Sequence, residues 1–107
     1  MNRGDVYWYT FKQPDKRRPV LILTRTSAIS HLTSITVAPL TTAIRGIPTE
    51  VILTPDDGVE TACAVNLDNL QTISKSNLGA FITRLPTEKM HEVRLAISFA
   101  LGFDILT

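Results

Sequence analysis

The chain has 107 residues, 44% hydrophobic and 20% charged, with a formal net charge of +1 and one cysteine. That is a single domain over 1–107, long enough to bury roughly two thirds of its unfolded surface without disulfide or metal staples. No apolar run reaches the ~18 residues of a membrane span, residues 1–5 carry no hydrophobic leader, and lone Cys63 fits a reducing compartment. The expectation is a soluble, cytoplasmic protein with no membrane partner. The small net charge hides an asymmetry. Residues 1–48 hold seven basic and two acidic side chains, and residues 49–107 hold four and eight. A polyanion would meet the first half, unless the two halves intermix and their fields cancel.

Gly4 to Phe11 alternates Val6, Trp8 and Thr10 with Tyr7, Tyr9 and Phe11, the period of a strand with one aromatic face. Lys12 to Arg17 is polar, with Pro14 and Asp15, and reads as a basic loop. Arg18 to Thr24 is the centre of the chain. Val20, Leu21, Ile22 and Leu23 form a run too short for a helix and bounded by Pro19, which predicts a strand buried on both faces. Pro19 cannot donate a ladder hydrogen bond, so the first strand position suits it and Arg18 falls at the strand's mouth.

Thr26 to Thr33 looks irregular, and Ser34 to Leu40 reads as a strand with Pro39 at an edge or bulge, followed by Thr41 and Thr42. Arg45-Gly46 suggests a turn before a strand over Thr49 to Leu53, which Pro55 to Gly58 terminates. Short strands follow at Ala62 to Val65, Leu70 to Ile73 and Leu78 to Thr83, with short connections that favour an antiparallel meander. The period then changes. Met90, Val93, Ala96, Ile97, Ala100 and Leu101 share one helical arc, opened by Pro86 to Glu88 and closed by Gly102. Leu95 and Phe99 lie opposite that arc among Glu88 and Glu92, so either the helix is sandwiched within its own domain or, as the small size of the chain favours, this pair contacts another chain. The fold class is mainly β with a C-terminal helix, as a strongly bent antiparallel sheet or barrel.

Chemistry is sparse. His31 and His91 sit at no ligand spacing from Cys63 or a carboxylate pair, so no metal or cofactor is expected. Neither a phosphate-cradling glycine loop nor a nucleophile elbow is present, and Cys63 in Thr-Ala-Cys-Ala-Val reads as a small apolar strand residue. What remains is Arg18 at one strand mouth and Thr41-Thr42 at the end of another. These residues either solvate strand ends or clamp phosphate. Arginine is a bidentate partner for phosphate oxygens, and a threonine hydroxyl adds a hydrogen bond to the same group.

Four stretches resemble the MazF/PemK family of toxin endoribonucleases: Arg3-Gly4-Asp5-Val6-Tyr7-Trp8; Arg18-Pro19-Val20-Leu21-Ile22-Leu23; Val37-Ala38-Pro39-Leu40-Thr41-Thr42 with Pro48-Thr49-Glu50-Val51; and Asn66-Leu67-Asp68-Asn69-Leu70-Gln71-Thr72. The ending Ala96-Ile97-Ser98-Phe99-Ala100-Leu101-Gly102 is similar too. The resemblance implies an SH3-like barrel that dimerises, cleaves single-stranded RNA at short motifs without a metal, arrests growth and is neutralised by a cognate antitoxin. It places Arg18 and Thr41 in the active site, with the substrate's 2′-hydroxyl as nucleophile and cyclic phosphate and 5′-hydroxyl ends as products. For the general base the resemblance implies either Asp68, with a turn-capping role as the alternative, or a histidine or glutamate of the first loop, where this chain instead carries Gln13, Asp15 and Lys16. Base reading would fall to loops carrying Lys16, Arg17, Thr42, Arg45, Asn69 and Gln71. The basic loop Lys12 to Arg18, with Trp8 and Phe11, is an expected landing site for an acidic antitoxin segment. A CcdB-like topoisomerase poison and an inactive binding module on the same barrel are the alternatives.

Overall fold

The computed structural model describes residues 1–11 and 17–105, and all seven expected strands form there. They are β1 (Asp5–Thr10), β2 (Arg17–Ile22), β3 (Ser34–Thr41), β4 (Glu50–Leu53), β5 (Cys63–Asn66), β6 (Gln71–Ser74) and β7 (Leu78–Arg84). Two helices accompany them, α1 (Thr26–Ile29) and α2 (Thr87–Leu101). The expected loop Lys12 to Lys16, with Lys16 as a candidate site residue, lies outside the described residues.

The two-faced burial expected of β2 follows from the period of two along a strand. Leu21 points into a cluster with Val6, Leu40, Val51, Val65 and Val93, whereas Val20 and Ile22 point into a second with Ile35, Val37 and Ile73. Tyr7, Tyr9 and Phe11 pack against the second cluster, so the aromatic face of β1 is a core face. The sheet is therefore sandwiched between two cores. Asp5, buried at the start of β1, accepts hydrogen bonds from the Asn2 amide at 2.9 Å and from Arg84 Nε at 2.8 Å, which ties β1 to β7. The bonded carboxylate pushes the Arg84 guanidinium further up.

Several expectations are corrected. Pro19 is the third residue of β2, not the first, and faces Trp8 across the β1 ladder. It is tolerated because pairing with β3 begins only at Val20 and Pro39, so its absent amide is not needed there. The meander holds only from β1 to β3. Beyond that the order is β4-β5-β3-β2-β1-β7, with β6 also on β3 and β7 returning to β1. The eight residues of β3 serve two partners on one edge, Ser34 to Val37 with β6 and Leu40-Thr41 with β5. Ala38 and Pro39 lie at the changeover, where a residue without an amide suits a broken ladder. The sheet is strongly bent and antiparallel, and β4 does not pair with β7 to close it.

Within Thr26 to Thr33, expected to be irregular, one turn of helix forms over Thr26–Ile29, held by Ile29 in the second cluster. Four residues are too few to show a helical period. No turn forms at Arg45-Gly46, although Gly46 takes a positive φ of 69°. The turn falls instead at Pro48-Thr49, closed by the Glu50 amide donating to the Ile47 carbonyl at 3.0 Å.

Helix α2 lays Val93 and Ala96 into the first cluster, with Met90, Ile97 and Ala100 alongside. Gly102 ends it at φ 77°, its amide donating to the Phe99 carbonyl while the Phe103 amide donates to that of Ser98, a left-handed cap. Leu101, expected on the buried arc, is exposed because it sits at the helix end beyond the sheet. Leu95 and Phe99 are 56% and 50% exposed, and Phe103 and Ile105 extend this apolar surface. Among the described residues, no helix is long and apolar enough to cross a membrane.

Candidate functional site

At the start of β2 and the end of β3 the sheet opens into a cleft of about 640 Å³. It is lined by Trp8 of β1, by Arg17, Arg18 and Pro19 of β2, by Leu40 to Ala43 at the end of β3, and by Gly58 to Thr61 with Cys63. Arg18 and Glu60, 42 positions apart in the sequence, come to one cleft only through the fold.

The β1–β2 ladder explains how two consecutive arginines reach one space. Arg17 pairs with Thr10 and shares the face of Trp8, while Arg18 pairs with Tyr9 on the other face. The cleft opens at the strand end, so both line it. The Arg17 guanidinium lies 4.1 Å from the centre of the Trp8 ring, a cation–π stack that stiffens a long side chain at an exposed site. Among the described residues the ion pairs involve Arg45, Arg84 and Lys89, leaving Arg18 unengaged by any carboxylate there.

Thr41, the last residue of β3, accepts a hydrogen bond from the Ala43 amide at 3.1 Å through Oγ1. That bond occupies an acceptor lone pair and leaves the hydroxyl hydrogen to be donated into the cleft. The loop beyond Thr41 is built around Glu50, whose side chain is 0% exposed. Its Oε1 accepts from the Arg45 amide at 2.9 Å and the Gly46 amide at 3.0 Å, and its Oε2 accepts from Arg45 Nε at 3.0 Å. Burial alone would raise this carboxyl. The hydrogen bonds from Arg45 and Gly46 outweigh burial and hold it below the usual carboxylate range.

The cleft thus gathers Arg17, Arg18, Thr41 and Thr42 of the expected site residues, and leaves out Arg45, Asp68, Asn69 and Gln71. The Arg45 side chain, half exposed, is committed to Glu50. Asp68 accepts a hydrogen bond from the Thr49 hydroxyl at 2.6 Å, and its amide donates to Asn66 Oδ1, so its carboxylate braces the β5–β6 turn against β4. Gln71 pairs with Val37 at the start of β6. Trp8, expected beside the basic loop as part of an antitoxin landing site, lines the cleft, whereas sequence reasoning missed Glu60 and Thr61. Nothing in the stretch after Gly58 marks it as a cleft segment, because tertiary contacts place it: Thr83 of β7 donates to the Asp57 carbonyl, and β5 pairs with β3. Cys63 lines the cleft too, but burial, and then the nearby Asp57 carboxylate, push its thiol up, which is the wrong direction for a nucleophile. Among the described residues no three of His, Cys, Asp and Glu gather to hold a metal ion.

Comparison with known proteins gives the same family by sequence and by shape. The profile described as PemK-like, MazF-like toxin of type II toxin-antitoxin system matches residues 2–101. Endoribonuclease MazF3 of Mycobacterium tuberculosis is 44% identical over 93 residues, covering 87% of this chain and 88% of that protein. Among solved structures, Mycobacterium tuberculosis toxin MazF-mt6 aligns at a TM-score of 0.84 and 39% identity over 96% of this chain and 99% of that one. An endoribonuclease in complex with its cognate antitoxin, from Mycobacterial species, aligns at 0.84 and 30% identity over 95% of each chain. With agreement over nearly the full length, and with the arginine and threonine of the resemblance meeting in one cleft, the chain belongs to the PemK/MazF family of type II toxin–antitoxin toxins.

Proposed function

We propose that this chain is a cytoplasmic toxin that cleaves single-stranded RNA in the cleft at the start of β2 and the end of β3, without a metal ion. The observation that carries this reading is the convergence of Arg17, Arg18, Thr41 and Thr42, from two strands, on one open cleft. RNA supplies its own nucleophile. In-line attack of a 2′-oxygen on the adjacent phosphorus puts negative charge on the nonbridging oxygens, and a preorganised guanidinium at Arg18 with a hydroxyl donor at Thr41 stabilises that charge as it develops. The products are a 2′,3′-cyclic phosphate and a 5′-hydroxyl. Trp8, with one face stacked on Arg17, offers a platform for a base next to the scissile phosphate, and Thr42, Arg45, Asn69, Gln71 and Lys16 are the proposed contacts for neighbouring nucleotides.

The test is to incubate the protein, in excess EDTA, with a long single-stranded RNA and a matched DNA and to map the fragment ends. RNA-only cleavage leaving cyclic phosphates is expected; a folded protein that cuts no RNA overturns the reading. Binding has its own readout, because Trp8 is the single tryptophan of the chain. Titration with an uncleavable RNA, 2′-deoxy at the cut site, is expected to change Trp8 fluorescence saturably, and to do so more weakly as salt rises. An unchanged signal at saturating RNA would place binding elsewhere.

Two partners complete the proposal. The apolar surface of Leu95, Phe99, Phe103 and Ile105 is the proposed contact between two copies, and a Leu95→Glu, Phe99→Glu double variant is expected to sediment as a monomer where the wild-type chain is a dimer. The cleft with its Arg17–Trp8 stack is the proposed seat of an acidic antitoxin segment, which would compete with RNA.

A further inference from the structure

The proposed cleavage leaves one proton without an acceptor. The 2′-hydroxyl must lose it before its oxygen attacks, and the groups named so far cannot take it. Arg17 and Arg18 are cations. Thr41 Oγ1 already accepts the Ala43 amide, and the Cys63 thiol is a donor kept protonated by its surroundings. Asp68, the base that the family resemblance implied, does not line the cleft and is bonded to Thr49.

Among the described residues one carboxylate does line the cleft, and it is Glu60. We infer that Glu60, which lines the same cleft as Arg18, is the general base that takes the 2′-hydroxyl proton. The inference rests on the RNA-cleavage reading above and adds a residue to it. Glu60 is exposed, yet the chain that carries it is fixed at both ends, by Val59 in the first core cluster and by Cys63, buried at the start of β5. The backbone is therefore held in place while the side chain stays open to solvent. Within the described residues no ion pair or hydrogen bond engages it, although Arg17 and Arg18 share its cleft. Two arginines and a glutamate thus line one cleft of about 640 Å³, which has room for a phosphodiester.

The step balances without a co-reactant. A Glu60 oxygen takes the 2′-hydroxyl proton as the 2′-oxygen bonds to the adjacent phosphorus. The bond from phosphorus to the 5′-oxygen breaks, that oxygen takes a proton from solvent, and Glu60 returns its own proton to solvent. Among the described residues, the other titratable and charged groups of the cleft are Arg17 and Arg18 from β2 and Cys63 from β5, with Asp57 near Cys63.

The test is single-turnover cleavage at neutral pH by the full chain of a short RNA carrying its mapped site, with binding of the 2′-deoxy analogue measured in parallel. Glu60→Gln is expected to slow cleavage by about 10²-fold or more. Analogue binding should be unchanged or tighter, and Glu60→Asp should recover part of the rate. Circular dichroism of each variant should match wild type, since the side chain is exposed. A Glu60→Gln protein that cleaves as fast as wild type, or faster, overturns the base assignment while leaving the ribonuclease reading intact. So does a Glu60→Gln protein whose slower cleavage is matched by an equal loss of analogue binding. Wild-type protein that cleaves no RNA overturns both.

Discussion

Arg18→Ala is expected to lower the single-turnover rate of RNA cleavage by about 10³-fold while leaving the fold in place. Both halves of that expectation come from where the residue sits. The backbone of Arg18 pairs with Tyr9 in the β1–β2 ladder, and that pairing does not need the side chain. The side chain lines an open cleft and is engaged by no carboxylate among the described residues, so its removal leaves no buried charge unpaired. A melting temperature within a few degrees of wild type is therefore expected.

The rate effect is large because the charge on the nonbridging oxygens rises during the reaction, and only groups already aimed at it lower the barrier. Arg18→Lys separates charge from geometry. It keeps the cation but loses the planar fork that grips two oxygens, so it should recover only part of the loss. A folded Arg18→Ala protein that cleaves at the wild-type rate would remove this residue from the chemistry. Continued growth arrest by such a variant in cells would then point to a toxin acting by a route other than this cleft.

Much of the fold is legible in the sequence because its determinants are local. The alternation of β1, the branched aliphatic run of β2 and the helical arc of α2 each fall within one element, where the period of side chains decides the outcome. What cannot be read locally is partner choice. Nothing within Ser34 to Thr41 says that its first half pairs with β6 and its second with β5, because that follows from bending a long strand over two cores. The site divides the same way. Arg18 and Thr41 are visible as polar residues at strand ends, whereas Glu60 sits in a polar stretch without a pattern and gains its place only when β5 docks on β3. Asp68 lies in a motif that is clear in sequence, and in the fold it accepts a hydrogen bond from the Thr49 hydroxyl, a partner that the motif does not name.

Glu50→Ala is expected to destabilise the protein by about 2–3 kcal/mol, read as a lower urea midpoint at neutral pH. The carboxylate is fully buried and accepts two backbone amides and one guanidinium N–H, so its loss strips partners from the loop that follows Thr41. Those amides are the loop's own, and the loop must open to water to satisfy them. The contribution depends on pH in a defined direction. Folding holds the Glu50 carboxyl below its ordinary value of 4.5, so the folded state favours the ionised form. Its stabilisation is complete above that ordinary value and is lost as pH falls through the lower, folded-state value. Wild-type stability should therefore fall on acidification below about pH 4.5, and Glu50→Gln, which cannot titrate, should follow a flatter curve there. Salt should weaken the guanidinium share of the effect, since Arg45 is half exposed, but not the share carried by the two amides. Equal urea midpoints for wild type and Glu50→Ala would mean that the loop is held by its backbone turn alone, and Thr41 would then owe its position to β5 rather than to Glu50.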